Sequence, residues 1–314
     1  MYATIRLLAS VLALIIGWTV VAVLLIGLYW FGWSYLAGIE MLSTVIPQPP
    51  DFISVAVVSF IVPLTLLGLF LILFVLLPAR WVMELFVRKR AHQRLSKEHW
   101  VVQETTAMCE RLGIVAIPAV YVYDDLQPNA WAFATLTGSV VALSLGLTKL
   151  LTPQEHRWVI GHELAHIKHF DAGSGGFWAS TERVIELAWR VHRFVVNATV
   201  RGVNATRMHG WIVAILILPI LVVSYFAILA DYLARTFFMV LDRFVGRAME
   251  YRADDVASQL AGPQFGVAVL EKLNDGIEPS FGLFATHPAT PKRIERLQVR
   301  GLQLTNDNDT RIST

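Results

Sequence analysis

His162 and His166 stand four residues apart with Glu163 between them, in the run Ile160-Gly161-His162-Glu163-Leu164-Ala165-His166. On a helix, residues four apart share a face, so the two imidazoles can converge on one divalent metal, and zinc suits two neutral imidazoles well. Glu163 sits one step round the same turn. A carboxylate there can take a proton from a water that the metal activates. Without a metal the run is a helix with two incidental histidines, and a chain with 9 His meets such a pattern by chance often enough that its setting has to be argued.

The setting is helical. Thr152-Pro153-Gln154-Glu155 supplies an N-cap, a proline at the first helical position and a capping-box glutamate. Trp158, Val159, Leu164 and Ile167 give the helix apolar contacts. Zinc hydrolases need a third protein ligand and an open position for water. The best-placed candidate is Glu250, in Arg247-Ala248-Met249-Glu250-Tyr251-Arg252-Ala253-Asp254. Asp254 shares its helix face and can hold a ligand histidine through the other ring nitrogen. A Glu and an Asp four apart are otherwise a solvated helix face. His169 reads as a partly exposed polar residue, and Cys109 as a small buried one.

Composition restricts the class. The chain is 55% hydrophobic and 16% charged, with mean hydropathy +0.56, where soluble domains carry about a quarter charged residues. That excess points to a membrane protein with a lipid bilayer as partner. A net charge of +2 gives no nucleic-acid signature, and the single cysteine excludes internal disulfides and cysteine-based zinc fingers.

Residues 7–31 and 54–78 are uncharged and long enough to span a bilayer. The loop between them has no Lys or Arg, whereas Arg80, Arg88, Lys89, Arg90, Arg94 and Lys97 follow the second run. The positive-inside rule therefore puts residues from 79 onward in the cytoplasm. Residues 98–113 read as an amphipathic helix ending at Gly113. Ala119–Tyr123, Ala130–Thr135 and Ser139–Leu143 read as three strands of an antiparallel meander, with a tight turn at Thr137-Gly138. An edge strand beside a metal is a place for an extended peptide to add. Residues 177–200 read as an amphipathic helix. A third uncharged run, 210–230, would carry the candidate third ligand outside the cell unless the chain returned by about residue 248, so 210–248 is expected to be a tight or re-entrant hairpin. Asp307–Thr314 reads as a disordered polar tail.

Five segments in order resemble the M48 family of membrane zinc metalloproteases, which includes the HtpX proteases and the CAAX prenyl protease. They are Pro128-Asn129-Ala130-Trp131-Ala132; Leu145-Gly146-Leu147 leading into Leu151 to Glu155; His162 to His166; Arg247 to Asp254; and Thr286-His287-Pro288-Ala289-Thr290 followed by Arg293. The resemblance covers roughly residues 80–300, and the hydrophobic layout is closer to the HtpX branch. Trp131 stands where Phe is frequent and Pro291 where a polar residue is frequent; neither touches the metal ligands. It implies a gluzincin fold with one Zn²⁺ held by His162, His166 and Glu250, and Glu163 as general base. It also implies that Asn129 and Ala130 hold substrate backbone, that Asp254 and Arg293 support the site from behind, and that His287 acts at the transition state or supports the site from behind.

The expected architecture is an α-helical membrane protein with a mainly helical α+β catalytic domain and a small antiparallel sheet. Two transmembrane helices fill 1–80, the first catalytic part 81–209, the membrane hairpin 210–248, the second catalytic part 249–300 and a tail 301–314. The expected activity is zinc-dependent endopeptidase action on misfolded or unfolded membrane proteins, with the catalytic domain on the cytoplasmic side of the cytoplasmic membrane. A processing protease for lipidated or signal-bearing peptides and a non-catalytic zinc-binding scaffold are the alternatives.

Overall fold

A computed structural model describes residues 1–13, 15–16, 92–135, 137–171, 210–273 and 290–312, with isolated positions between 174 and 201. The expected span at 54–78, most of that at 7–31, and His287 lie outside the described residues. The chain divides into two compact units, one of Met1–Leu7, Leu73–Phe177 and Met239–Thr314, the other of Leu8–Ile72 and Trp178–Phe238.

The first unit is mainly helical with one small sheet. In order it contains β1 (His92–Arg94), α1 (Trp100–Leu112), β2 (Ala119–Tyr123), β3 (Ala130–Thr135), β4 (Gly138–Ser144), α2 (Leu145–Leu150) and α3 (Pro153–Lys168). Then come α4 (Gly210–Ala261), whose residues up to Phe238 belong to the other unit, α5 (Pro263–Leu273) and α6 (Thr290–Ile312).

The sheet order is β1-β2-β4-β3, and β2 pairs with β4 in parallel. The sheet is therefore mixed, which corrects the expected antiparallel meander. The tight turn makes β3 and β4 a hairpin as expected, with Thr135 opposite Gly138. The connection from β2 to β3 does not fold back on β2. Its Asp125 carbonyl accepts from Gly146 N–H at 2.8 Å and its Asp125 carboxylate from Gln127 N–H at 3.0 Å. That pins the loop beside the start of α2 and carries β3 past the place next to β2, which β4 fills. β1, a short polar strand, closes one edge and β3 forms the other.

Side chains alternate across the sheet. Trp131 and Phe133 lie on the face with Tyr121, Tyr123, Val140 and Ala142. Ala130 lies on the other face, with Val120, Val141 and Leu143, against the core that includes Trp158, Ile160 and Leu164 of α3. The aromatic side chains of β3 thus point away from α3, and its alanines let that helix approach closely.

α3 forms because its ends are specified. Thr152 Oγ accepts from Glu155 N–H at 3.4 Å, Glu155 Oε2 accepts from Thr152 N–H at 2.7 Å, and Pro153 starts the helix. Lys272 on α5 donates to the same Glu155 carboxylate at 2.7 Å, tying the cap to tertiary structure. α3 is crossed by α4 at Gly161, where a Cβ would lie 3.3 Å from Ala257 Cα and 3.2 Å from Leu260 Cδ1. Only a missing side chain permits so close a crossing without displacement.

α4 is one helix of 52 residues, so the expected hairpin at 210–248 is absent. Nothing in Gly210–Ala261 turns the chain. Pro219 removes one backbone donor, and a proline can be accommodated within a long helix as a kink. Among the described residues no helix is long and apolar enough to cross a membrane. α6 continues to Ile312, through most of the expected polar tail. Pro291 lies in its first turn, no proline follows, and each further residue adds a hydrogen bond to a helix already nucleated.

Candidate active site

α3 buries His162 and Glu163 in its centre, and α4 brings Glu250 against them. His162 Nε2 lies 3.1 Å from His166 Nε2, 3.5 Å from Glu250 Oε2, and His166 Nε2 lies 3.7 Å from Glu250 Oε1. Among the described residues these three form a group whose ligand atoms fall within 4.8 Å of one another. Tetrahedral zinc with bonds of 2.0–2.1 Å needs ligand atoms about 3.3 Å apart. Two imidazole nitrogens and a carboxylate facing one point repel as lone pairs unless a cation or proton lies between them. The donor set therefore fits a zinc ion.

Each histidine is also held from behind. His162 Nδ1 is 3.1 Å from Asp254 Oδ1, an ion-pair approach off the line of a good hydrogen bond, and its ring stacks on Trp158 at 5.5 Å. Asp254 is only 1% exposed, and Arg293 on α6 binds it through two nitrogens, at 2.8 and 2.6 Å. The third Arg293 nitrogen, Nη1, reaches Glu250 Oε2 at 3.3 Å. Arg293 thus joins the third ligand candidate to the residue behind the first. The structure brings together His162, Glu163, His166, Glu250, Asp254 and Arg293.

The electrostatics follow from burial and pairing. Burial works to lower the His162 pKa, but the carboxylates of Asp254 and Glu250 outweigh it and hold the imidazolium up to about 10. A metal would take the place of that proton. Glu163 moves the other way from a surface glutamate: burial raises its pKa, and the pull of His162, His166 and Arg293 does not cancel it. A raised carboxylate beside a metal is suited to accept and return a proton. Burial would raise Asp254, yet its contacts with His162 and Arg293 leave it lowered and ionised.

Asn129 and Ala130 open β3. Ser144 N–H donates to the Asn129 carbonyl at 2.9 Å, and Asn129 N–H donates to Ser144 Oγ at 2.9 Å. Both backbone groups of Asn129 are thereby used. His169 is not at the site; it is the C-cap of α3. Two residues that the sequence did not single out do reach the site. Asp171 lies 3.4 Å from His166 Nδ1, and Arg252 donates to Asp171 at 2.6 Å. An acid just past the end of the histidine helix, and a basic residue two places after Glu250, were the available signals.

Two histidines and a glutamate on one helix, a second glutamate from another helix, and an aspartate behind one of the histidines are the parts of a metallopeptidase. Residues 95–300 match Peptidase family M48, more than half of the chain, and the protein belongs to that family. It is similar to Protease HtpX of Hydrogenovibrio crunogenus, 26% identical over 70% of this chain and 77% of that one. Protease HtpX of Haemophilus ducreyi is 30% identical, over 65% of this chain and 73% of the relative. Among solved structures, the crystal structure of S. mikatae Ste24p matches with a TM-score of 0.45 and 17% identity, covering 86% of this chain and 61% of that chain.

Proposed function

We propose that this metalloprotease is a zinc-dependent endopeptidase of the cytoplasmic membrane that hydrolyses misfolded or unfolded proteins, with Glu163 as general base. The observation that carries the proposal is the convergence of His162, His166 and Glu250 beside a buried Glu163 with a raised pKa. A bound zinc ion supplies a Lewis acid that polarises a peptide carbonyl and acidifies water. Glu163 takes the proton of the attacking water and returns it to the leaving amine. His162, His166 and Glu250 would hold the metal, while Asp254 and Arg293 fix His162 and Glu250.

β3 supports a peptide as substrate. The Asn129–Ser144 pair is hydrogen-bonded, so by antiparallel alternation residues 131, 133 and 135 face β4. Ala130, Ala132 and Ala134 then turn their N–H and C=O groups to the free edge, where no strand pairs among the described residues. An extended chain can add there, with Ala130 contributing backbone and Asn129 its side-chain amide.

Membrane placement rests on the uncharged runs 7–31 and 54–78 and the basic cluster after them. Most of both runs falls in the unit separate from the one that carries the site. Large apolar side chains stand exposed at Leu8, Val11, Leu12 and Ile15, spaced along one helix face, and at Tyr225, Ile228, Leu229, Tyr232, Leu233 and Phe237 of α4. Lipid is a suitable cover for such surfaces. The preference for misfolded substrates comes from the likeness to HtpX proteases.

The test compares wild type and Glu163→Gln, both purified in detergent and loaded with zinc, on an unfolded model protein. Only wild type should cut, with Glu163→Gln slower by about 10²–10⁴-fold at equal zinc content, and a chelator should stop it. Equal cutting by both would overturn the role of Glu163.

A further inference from the structure

The two histidines of α3 are backed by matching arrangements drawn from different parts of the chain. Behind His162 stand Asp254 and then Arg293. Behind His166 stand Asp171 and then Arg252. Asp171 is as hidden as Asp254 in practice, at 4% exposure. An aspartate buried on that scale needs a partner, and both of its oxygens are taken by Arg252.

The chain makes an unusual turn to place Asp171. α3 ends at His169, and Phe170 adopts φ 59°, the left-handed conformation that side chains with a Cβ adopt rarely. Just past that residue Asp171, five positions beyond His166, has its carboxylate 3.4 Å from His166 Nδ1. Phe170 N–H bonds Ile167 carbonyl at 3.0 Å, and the fully buried Ser174 donates through Oγ to the Asp171 carbonyl at 2.9 Å. Phe170 also packs with Ala3, Val245 and Met249, and Arg252 lies under the Tyr2 ring at 5.3 Å. The carboxylate is thus fixed on every side before any ligand arrives.

From this juxtaposition we infer that Asp171, clamped by Arg252, is a positioning residue for His166: it orients the imidazole so that Nε2 faces Glu250 and the metal. The inference rests on the proposed metal role of His162, His166 and Glu250. It adds that α4 delivers more than a ligand. Glu250, Arg252 and Asp254 are alternate residues of one helix, and each serves a different corner of the site. Asp254 backs the first histidine directly. Arg252 backs the second through Asp171.

Removing Asp171 alone would strand the Arg252 charge, so the informative variant replaces the pair together. A buried ion pair exchanged for apolar residues of similar volume leaves stability roughly neutral. In the full chain purified in detergent, Asp171→Leu/Arg252→Met should bind zinc ten- to a hundredfold more weakly in competition with a chelator. The metal-free melting temperature should stay close to that of wild type, and the visible absorption bands of the Co²⁺-loaded protein should shift. Asp171→Asn, which keeps an oxygen facing Nδ1, should recover most of the affinity. The inference is overturned if the double variant binds zinc within twofold of wild type with unchanged Co²⁺ bands while His162→Ala and Glu250→Ala lose the metal. If those two also bind as wild type does, the metal reading itself falls, and this inference with it.

Discussion

α3 and α4 meet at the same site but reach it by opposite routes. α3 is specified from within: a capping box opens it, a left-handed residue follows it, and its two histidines share a face because of helix periodicity alone. α4 is 52 residues long, and nothing local marks Glu250 or Asp254 as special. Their role exists only because α4 crosses α3 at Gly161 and α6 supplies Arg293. The helix with the ligand motif is thus a local object, and the helix that completes the site is a tertiary one. Perturbations of α4 and its partners should therefore be felt at the ligands of α3, whereas weakening the cap of α3 should reduce stability and leave the site's chemistry intact.

The largest effect should come from Arg293→Met. It leaves Asp254 buried with one partner fewer, and breaking a buried pair on one side costs about 3–5 kcal/mol. Chemical denaturation of the metal-free protein would show it. A loss below about 1 kcal/mol would mean that Asp254 is neutral or solvated in the fold.

A smaller effect, set by α4 but read on α3, is the pH dependence of zinc binding. Asp254 and Glu250 keep His162 protonated up to about 10 in the metal-free protein. Zinc must displace that proton, so the group makes apparent affinity rise about tenfold per pH unit above neutrality and level off near its pKa. The same raised pKa means that its contribution to metal-free stability is full below the ordinary histidine range and is lost as pH rises through about 10. Isothermal titration in buffers of different ionisation enthalpy measures the released proton. Asp254→Asn should move the plateau to lower pH.

The smallest effect belongs to α3 itself. Thr152→Ala removes the N-cap acceptor and should lower stability by about 1 kcal/mol, with zinc affinity unchanged. A variant that lost metal as well would show that α3 is not the self-contained element described.

This contrast also explains what could be read from the amino-acid order. The cap at Thr152, the histidine pair and the strand spans of β2 and β3 follow short-range rules, and the structure has them where those rules put them. The pairing of β2 with β4 was not legible, because it depends on where Asp125 and Gly146 fasten a connection. β1 was hidden in a basic segment that reads as a topology signal. Glu250 and Asp254 could be picked out only as a carboxylate pair downstream of the histidine helix, and Arg293 through the family resemblance; spacing alone gives a polar helix face. Asp171 and Arg252 were missed because their meeting needs a left-handed Phe170, which no residue preference announces.

The fastening at Gly146 has one more consequence. A Cβ there would fall 2.0 Å from the Leu126 carbonyl oxygen, so the loop entering β3 lies directly on the first turn of α2. That loop is anchored at both ends, by Asp125 to Gly146 and by Asn129 to Ser144. The free edge is consequently stiff before any peptide arrives. The ordering entropy of this loop was surrendered during folding, so the peptide proposed to add at β3 would have only its own freedom left to lose.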